Sequence, residues 1–464
     1  MSGGETILTA AKMRAAEQAL IASGVPEYEL MERAGAAAAE IIWRVGGRRD
    51  LLIVCGPGNN GGDGFVIARL LRARGVSVRL AALGESRTPS SQQARAAWGG
   101  PVEDFASARP AAQVVDALFG TGLSRGLEPA VAAQLCSLTG QAQFSYAIDL
   151  PSGVETDSGR FLSQVPAFGL CIALGAFKPA HLLYPAAGSF DRLMCADIGL
   201  DIEGAWQRLQ PPHLTTPGTT SHKYSRGLVT VIGGAMAGAS WLACNAAARS
   251  GAGMVRHLLA DAGGAGLNAI VSQRASSASQ LEDALRDRRI GALLIGPGLG
   301  RDPAAGPRLR AALESGHPLV LDADALNLLA DKSVGNIPVG SILTPHEGEF
   351  IRLFVDLPGS KIDRALAAAE QTRSVVIYKG ADTVIAAPDG RVAVAATGSN
   401  WLSTAGTGDV LAGLAAGRLA TTHDPFRAAC EAVWLHGDAA RRAGAAFVAD
   451  DLIVGLPASI ASRL

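Results

Sequence analysis

Asp409 stands in the stretch TAGTGDVLAG, Thr404–Gly413, where a glycine turn opens a helical run. The free N–H groups and dipole of a helix N-terminus attract an anion. An aspartate beside that anion can orient and deprotonate an attacking hydroxyl. Gly406 and Gly408 leave the backbone bare for close approach. The chemistry this pattern suits is phosphoryl transfer to a hydroxyl, and the plain alternative is a helix cap.

Three further stretches in the first half pair glycine turns with an acid: GPGNNGGDG at 56–64, DALFGTGLSRG at 116–126 and DLPSGVETDSG at 149–159. Their N–H groups suit a phosphate. Asp116 and Asp149, with Asn60 and Ser152, offer hard oxygens of the kind a hard cation takes. No GK[ST] follows the first loop, so it is not a nucleoside-triphosphate P-loop, and the GxGxxG spacing also fails. Asp149 is the best acid–base candidate, a role that contributes about 10²–10⁴ in rate. Asp63 reads equally as a substrate contact or as the N-cap of the following helix.

These stretches need strands that end beside one another. Continuously apolar runs at Leu51–Cys55, Val76–Leu83, Val114–Leu118, Phe144–Ile148 and Leu170–Leu174 read as strands buried on both faces. Helical runs at Ala10–Ser23, Tyr28–Val45 and Phe65–Arg74 alternate with them, which predicts a layered parallel α/β domain. LQPPHLTTPG, Leu209–Gly218, reads as a linker. A second alternating series follows, with strands at Leu228–Ile232, Met254–Leu259, Ala292–Ile295, Leu319–Asp322, Ser341–Leu343 and Val375–Tyr378. A hairpin is expected at Asp382–Ala387 and Arg391–Ala395. The Gly-, Ala- and Ser-rich segment Ala262–Gln280 is expected to be partly loop. Two domains, 1–212 and 213–464, are the expectation for 464 residues.

Composition excludes some partners. With 48% apolar and 18% charged residues and a formal charge of 41 − 42 = −1, nothing draws the chain globally to nucleic acid or anionic membrane. The six cysteines form no CxxC pair and read as buried thiols in a reducing compartment. With no leader-like or membrane-length apolar run, a cytoplasmic protein is expected.

Taken in order, the three strand-end stretches resemble the NAD(P)H-hydrate epimerase domain, over roughly residues 7–205. That resemblance implies a Rossmann-like fold, a bound potassium ion and interconversion of the R and S epimers at nicotinamide C6 of hydrated NADH or NADPH (NADHX, NADPHX). It places substrate on Asn59, Asn60, Gly61, Gly62 and Asp63, on Gly120, Thr121, Gly122, Leu123, Ser124, Arg125 and Gly126, and on Asp149. It implies potassium on Asn60, Asp116 and Ser152.

In the second half GTGD resembles the ribokinase-like superfamily. HKYSRGLVTVIGG (222–234), GASWLACNAAARSGAGMV (238–255), IGPGLGR (295–301), LDADALNLL (321–329), LTPHEGEF (343–350) and YKGADTVIA (378–386) resemble, in that order, the ADP- or ATP-dependent NAD(P)H-hydrate dehydratases. The resemblance implies loss of water from the S hydrate at the expense of a nucleotide phosphate, ADP in fused bacterial forms, with the nucleotide's Mg2+. It places the hydrate on Ala239, Gly298, His346 and Asp409, and the nucleotide on Lys379, Gly380, Ala381, Asp382, Thr383 and Gly408. Asp409 is the implied base. Small molecules are the expected partners, with homo-oligomeric assembly.

Three departures stand out: Tyr224 in a loop expected near the nucleotide phosphates, Glu347 adding charge and freedom beside His346, and Arg33 in place of asparagine. Lys379 also reads as a solvated strand end, His346 as a structural hydrogen-bonding group, and Asp322, Asp324 and Asn327 as capping and packing groups. Ala243, Ala246, Ala247, Ser250 and Gly251 read as a close-packing helix face. Two rivals fit parts of the pattern: a vitamin-precursor kinase with a non-catalytic first domain, and a non-catalytic scaffold. The KGADT and TPHxGE pair and the intact Asp116 and Asp149 argue against them.

Overall fold

A computed structural model describes residues 5–260, 267–331, 336–395 and 398–464. Through Arg208 the chain forms one compact unit, and from Leu209 a second.

The first unit opens with helices α1 (Ala10–Ala22) and α2 (Glu27–Gly46). There follow β1 (Leu51–Cys55), α3 (Asn59–Ala73), β2 (Val78–Ala82), α4 (Pro89–Trp98), β3 (Glu103–Asp104), β4 (Gln113–Ala117), α5 (Pro129–Gln141), β5 (Phe144–Ile148), β6 (Leu170–Leu174) and β7 (Leu193–Ala196). Strand β8 (Trp206–Arg208) returns to the N-terminal segment, where Ile7 N–H donates to Trp206 O at 2.9 Å. The sheet is parallel, in the order β3-β2-β1-β4-β5-β6-β7. The winding direction reverses between β1 and β4, which opens a crevice beyond the carboxyl ends of those strands. Every residue of β1, β4 and β6 is buried, so helices cover both faces.

Helix α3 differs from expectation. The glycine-rich stretch reads as a turn leading to a helix at Phe65, yet α3 starts at Asn59 with Gly58 as N-cap. NNGGDG is therefore the first turn and a half of the helix. Its glycines are there for contact: a methyl on Gly61 would lie 1.9 Å from Gly56 O, and one on Gly56 would lie 1.8 Å from Leu118 O. Tertiary packing outweighs the low helix propensity of glycine. Asp63 is consequently not the N-cap but a buried residue inside the helix. The short strands β3 and β8 carry no apolar run that would announce them, and β7, though apolar, is only four residues long and partly exposed.

The second unit contains β9 (Leu228–Ile232), α6 (Ala237–Ala248), β10 (Met254–Leu259), β11 (Ile270–Arg274), α7 (Ala278–Leu285), β12 (Ile290–Ile295), α8 (Ala305–Leu313), β13 (Leu319–Leu321) and α9 (Ala323–Ala330). It continues with β14 (Ile342–Leu343), α10 (Glu347–Leu353), α11 (Lys361–Thr372), β15 (Val375–Tyr378), β16 (Val384–Ala386), β17 (Val392–Val394), α12 (Thr407–Thr422), α13 (Pro425–Ala443) and α14 (Ala449–Ala461). The strand order is β11-β10-β9-β12-β13-β14-β15-β16-β17, parallel up to β15 and antiparallel through the β16–β17 hairpin. The winding reverses again, between β9 and β12. In the segment 262–280, residues 262–266 lie outside the described residues. The rest holds β11, whose exposed Val271–Arg274 hides the apolar signal.

Helix α12 is buried along most of its length, against α6, α13 and β12. Small residues allow this. A methyl on Gly413 would lie 2.2 Å from Ala243 O, and one on Gly417 1.7 Å from Ser250 Oγ. Among the described residues no helix is long and apolar enough to cross a membrane. All six cysteines are free. Cys55, Cys171 and Cys244 are buried and Cys136, Cys195 and Cys430 are half-buried, a correction to full burial.

Candidate active sites

In the first unit β1, β4 and β5 are neighbours, so their three strand-end stretches converge. Asp149 follows β5 with φ 64, a left-handed conformation that a non-glycine residue adopts only when its surroundings impose it. Its Oδ1 accepts from Lys178 Nζ at 2.6 Å and its Oδ2 from Thr121 N–H at 2.7 Å. Burial works against its charge, but the Lys178 ammonium and the Thr121 N–H outweigh it and hold the carboxyl at about 2. A methyl on Gly120 would lie 2.7 Å from Asp149 Oδ2 and 3.2 Å from Asn60 Cγ, so these three residues meet at one point.

The Asn60 amide is buried, and neither Nδ2 nor Oδ1 has a hydrogen-bond partner among the described residues. Thr121 Oγ1 is in the same condition. Asp116 is fully buried and tied to Ser152. Its Oδ1 accepts from Ser152 Oγ at 2.7 Å and its Oδ2 from Ser152 N–H at 2.9 Å. Burial pushes the Asp116 carboxyl up to about 6 despite these bonds and one from Leu118 N–H. Burial, then the Asp149 and Glu17 carboxylates, hold Asp63 well above the usual carboxylate range. Asn59 is exposed and bridges Glu27 and Thr88 at 3.1 and 2.5 Å. Gly61 and Gly62 are buried in α3. Gly122, Ser124 and Arg125 are exposed, while Leu123 and Gly126 are half-buried.

In the second unit Asp409 is the third residue of α12, behind the N-cap Gly406 at φ 88. Burial and the Asp322 carboxylate push it up to about 6, with Lys379 pulling the other way. Lys379 is not a solvated strand end. Its Nζ donates to the buried Asp322 Oδ1 at 2.8 Å and lies 3.8 Å from Glu349 Oε2. A methyl on Gly408 would lie 3.5 Å from the same Nζ, which puts the ammonium at the mouth of α12. Burial works against that charge, but Asp322 and Glu349 outweigh it and raise the Lys379 pKa. Asp324 Oδ2 accepts from Gly300 N–H at 3.0 Å, and Asn327 packs against Arg352 at 2.7 Å. A methyl on Gly298 would lie 3.1 Å from Ala239 Cβ, so the β9 and β12 loops touch.

His346 is the N-cap of α10, its Nδ1 accepting from Gly348 N–H at 2.9 Å, with Glu349 returning a bond to His346 N–H at 2.9 Å. The turn Lys379–Thr383 closes on itself, Thr383 Oγ1 donating to Gly380 O at 2.9 Å. Asp382 is paired with Lys361 at 2.6 Å, and Gly380 and Ala381 are exposed.

Two departures sit elsewhere than expected. Tyr224 stacks with Arg289 at 4.4 Å, and a methyl on Gly253 would lie 2.1 Å from Lys223 O. Arg289 and Gly253 precede β12 and β10, so this loop lies at the strands' amino ends, the edge away from Asp409. Glu347 gains no freedom: Arg364 pairs with it at 3.3 Å and Tyr378 Oη donates to it. Arg33 pairs with Glu29 on the surface of α2 at 2.6 Å.

Lys178 and Glu349 are members of these clusters that residue typing missed. Lys178 lies four residues beyond β6 with no glycine beside it. Glu349 carries a signal that could have been used, the capping-box spacing from His346.

A family model described as the YjeF-related protein N-terminus matches residues 27–180, and one described as NAD(P)H-hydrate dehydratase matches residues 229–457. The bifunctional NAD(P)H-hydrate repair enzyme Nnr of Moorella thermoacetica is 35% identical over 93% of this chain and 92% of its own. That of Thermosynechococcus vestitus is 33% identical over 94% and 93%. A solved ADP/ATP-dependent NAD(P)H-hydrate dehydratase from Bacillus subtilis, co-crystallised with ATP and Mg2+, is 30% identical. It covers 54% of this chain and 95% of its own, with a TM-score of 0.48. Similarity spanning both units favours repair over a vitamin-precursor kinase with an idle first domain. With a Rossmann-like first unit and a largely parallel α/β second unit, this chain belongs to the bifunctional NAD(P)H-hydrate repair enzymes.

Proposed function

We propose that the first unit interconverts the R and S hydrates of NADH and NADPH and that the second dehydrates the S hydrate, with ADP as phosphate donor. The observation that carries the reading is Asp409, half-buried at the N-terminus of α12 beside the Lys379 ammonium. A base, a cation and the N-terminal N–H groups of a helix are what a hydroxyl attacking a phosphate needs, and this supports the reading. Asp409 takes the C6 hydroxyl proton as that oxygen attacks the terminal phosphorus. Phosphate then leaves with the C6–O bond, a C5 proton departs, and the ring double bond returns. The hydrate is assigned to Ala239, Gly298 and His346, and the nucleotide to Lys379–Thr383 and Gly408. Among the described residues no His, Cys, Asp or Glu cluster is spaced to hold a metal alone, so Mg2+ would ride on the nucleotide phosphates and shield their charge.

In the first unit Asp149 takes the C6 hydroxyl proton. The C6–N1 bond opens to a carbonyl as Asp149 passes that proton to N1, and on reclosure from the other face N1 gives the proton back through Asp149 to the C6 oxygen. Substrate would lie along Asn59–Asp63, Gly120–Gly126 and Asp149. Asn60, Asp116 and Ser152 fit a potassium ion, since the donors are all oxygen and Asn60 Oδ1 has no partner among the described residues. The ion would supply positive charge for the substrate phosphates. The domains are assigned to 1–212 and 213–464, and the protein to the cytoplasm as a homo-oligomer.

The test incubates R and S hydrates with the protein, with ADP, with ATP or with neither, and follows reduced-nicotinamide absorbance. Recovery from both epimers with ADP is expected. Recovery without nucleotide, or from neither epimer, contradicts the reading, and faster recovery with ATP contradicts the donor.

A further inference from the structure

We propose that Lys178, locked in place by His181, is the positioning residue that keeps the Asp149 carboxylate charged and aimed into the first site. The proposal rests on the epimerase reading of that site and names a residue for which the sequence offers no role. Lys178 is 1% exposed, deeper than a lysine goes without a partner. Its Nζ donates to Asp149 Oδ1 at 2.6 Å and to Leu174 O at 2.8 Å. The same short turn grips the Asp149 backbone. His181 Nδ1 accepts from Lys178 N–H at 2.8 Å, so its Nε2 carries the hydrogen and donates to Asp149 O at 2.5 Å. One turn therefore holds both the side chain and the left-handed backbone of Asp149.

The surroundings explain why a buried cation is needed. Asp63 from α3 and Glu17 from α1, with Arg14 beside Glu17, face this point. Cys171 of β6 and Cys195 of β7 complete the wall. Three carboxyls crowd there, and burial favours the neutral form of each. Lys178 decides which one ionises: Asp149 is held low while Asp63 is held high. The ionised oxygen that Thr121 N–H orients is then the one that takes the hydroxyl proton.

The experiment compares wild type, Lys178→Met and Lys178→Arg in the full-length protein. R-hydrate turnover is followed without nucleotide, as loss of the separated R epimer, which the first site alone sets, and S-hydrate turnover with ADP reports the second. With Lys178→Met, R-hydrate turnover near neutral pH should fall about 10²-fold. Its acid limb should move up by about two pH units or more as Asp149 loses its counter-charge. S-hydrate turnover should be unchanged. Lys178→Arg, which keeps the charge, should keep the wild-type acid limb. A Lys178→Met limb that coincides with wild type overturns the proposal, as does a Lys178→Arg limb that moves equally far. Should Lys178→Met not fold, the 13C resonance of the Asp149 carboxyl in wild type, assigned with Asp149→Asn, decides. It should remain ionised down to about 2, and titration in the ordinary carboxylate range overturns the proposal. Wild type that cannot convert R to S hydrate contradicts the epimerase reading itself, while that carboxyl titration still reports on the pair.

Discussion

Asp409 and Asp149 are both aspartates beside glycine turns, and their surroundings give them opposite proton affinities. Burial and Asp322 raise Asp409 to about 6, whereas Lys178 outweighs burial and lowers Asp149 to about 2. With Asp409 as the proposed base, the S-hydrate rate should fall as pH drops through about 6, seen as an acid limb in kcat/KM. Asp409→Asn should cut that rate by about 10²-fold or more and leave epimerisation intact. Lys379→Met removes the charge that opposes Asp322, so the acid limb should shift upward. An unmoved limb would show that Lys379 does not act on Asp409.

Helix α12 brings Asp409 to the carboxyl ends of the parallel strands, beside Lys379 and Asp322. Gly413 lets it do so by packing against the Ala243 carbonyl. Gly413→Ala should push α12 away from α6, cost about 1–3 kcal/mol in thermal unfolding, and slow dehydration without slowing epimerisation. In the first unit the comparable contact is the turn after β4. Gly120→Ala would put a methyl 2.7 Å from Asp149 Oδ2, so epimerisation should drop while S-hydrate turnover and Tm stay close to wild type. The strand runs were legible to within about two residues because continuous apolar stretches are the signature of a doubly covered sheet. The start of α3 was not, because glycine propensity points away from helix and only the close contacts of Gly61, Gly62 and Gly64 with Gly56, Met31 and Cys55 explain it.

Across the whole chain, acid should act through histidines that fold neutral. Burial lowers His181, His257 and His436 from 6.5 to about 4. The unfolded chain binds protons at these positions first. The contribution of these histidines to stability should therefore decline as pH falls below 6.5 and level off below about 4. Asp116 and Asp409, raised to about 6, and Asp63, also raised, work the other way, since their neutral forms suit the fold. Unfolding midpoints in denaturant between pH 8 and 4, compared between wild type and His257→Gln, check the sign: the variant should lose part of the decline, and an identical pH profile would mean that His257 is charged in the native state.

The order of motifs along the chain already determined which stretches end at strands, and from that the pairing of two α/β units and the chemistry each suits. Glycine turns, apolar runs and acids are local properties, readable one segment at a time. What tertiary structure alone decided is which charges meet. Lys178 reaches Asp149 across 29 positions and Lys379 reaches Asp322 across 57, and no local pattern records either contact. The placement of Tyr224 at the amino ends of the strands is equally non-local. Desolvation and Coulomb interaction depend on distance in space, so the state of each acid is set by the fold and not by its neighbours in sequence.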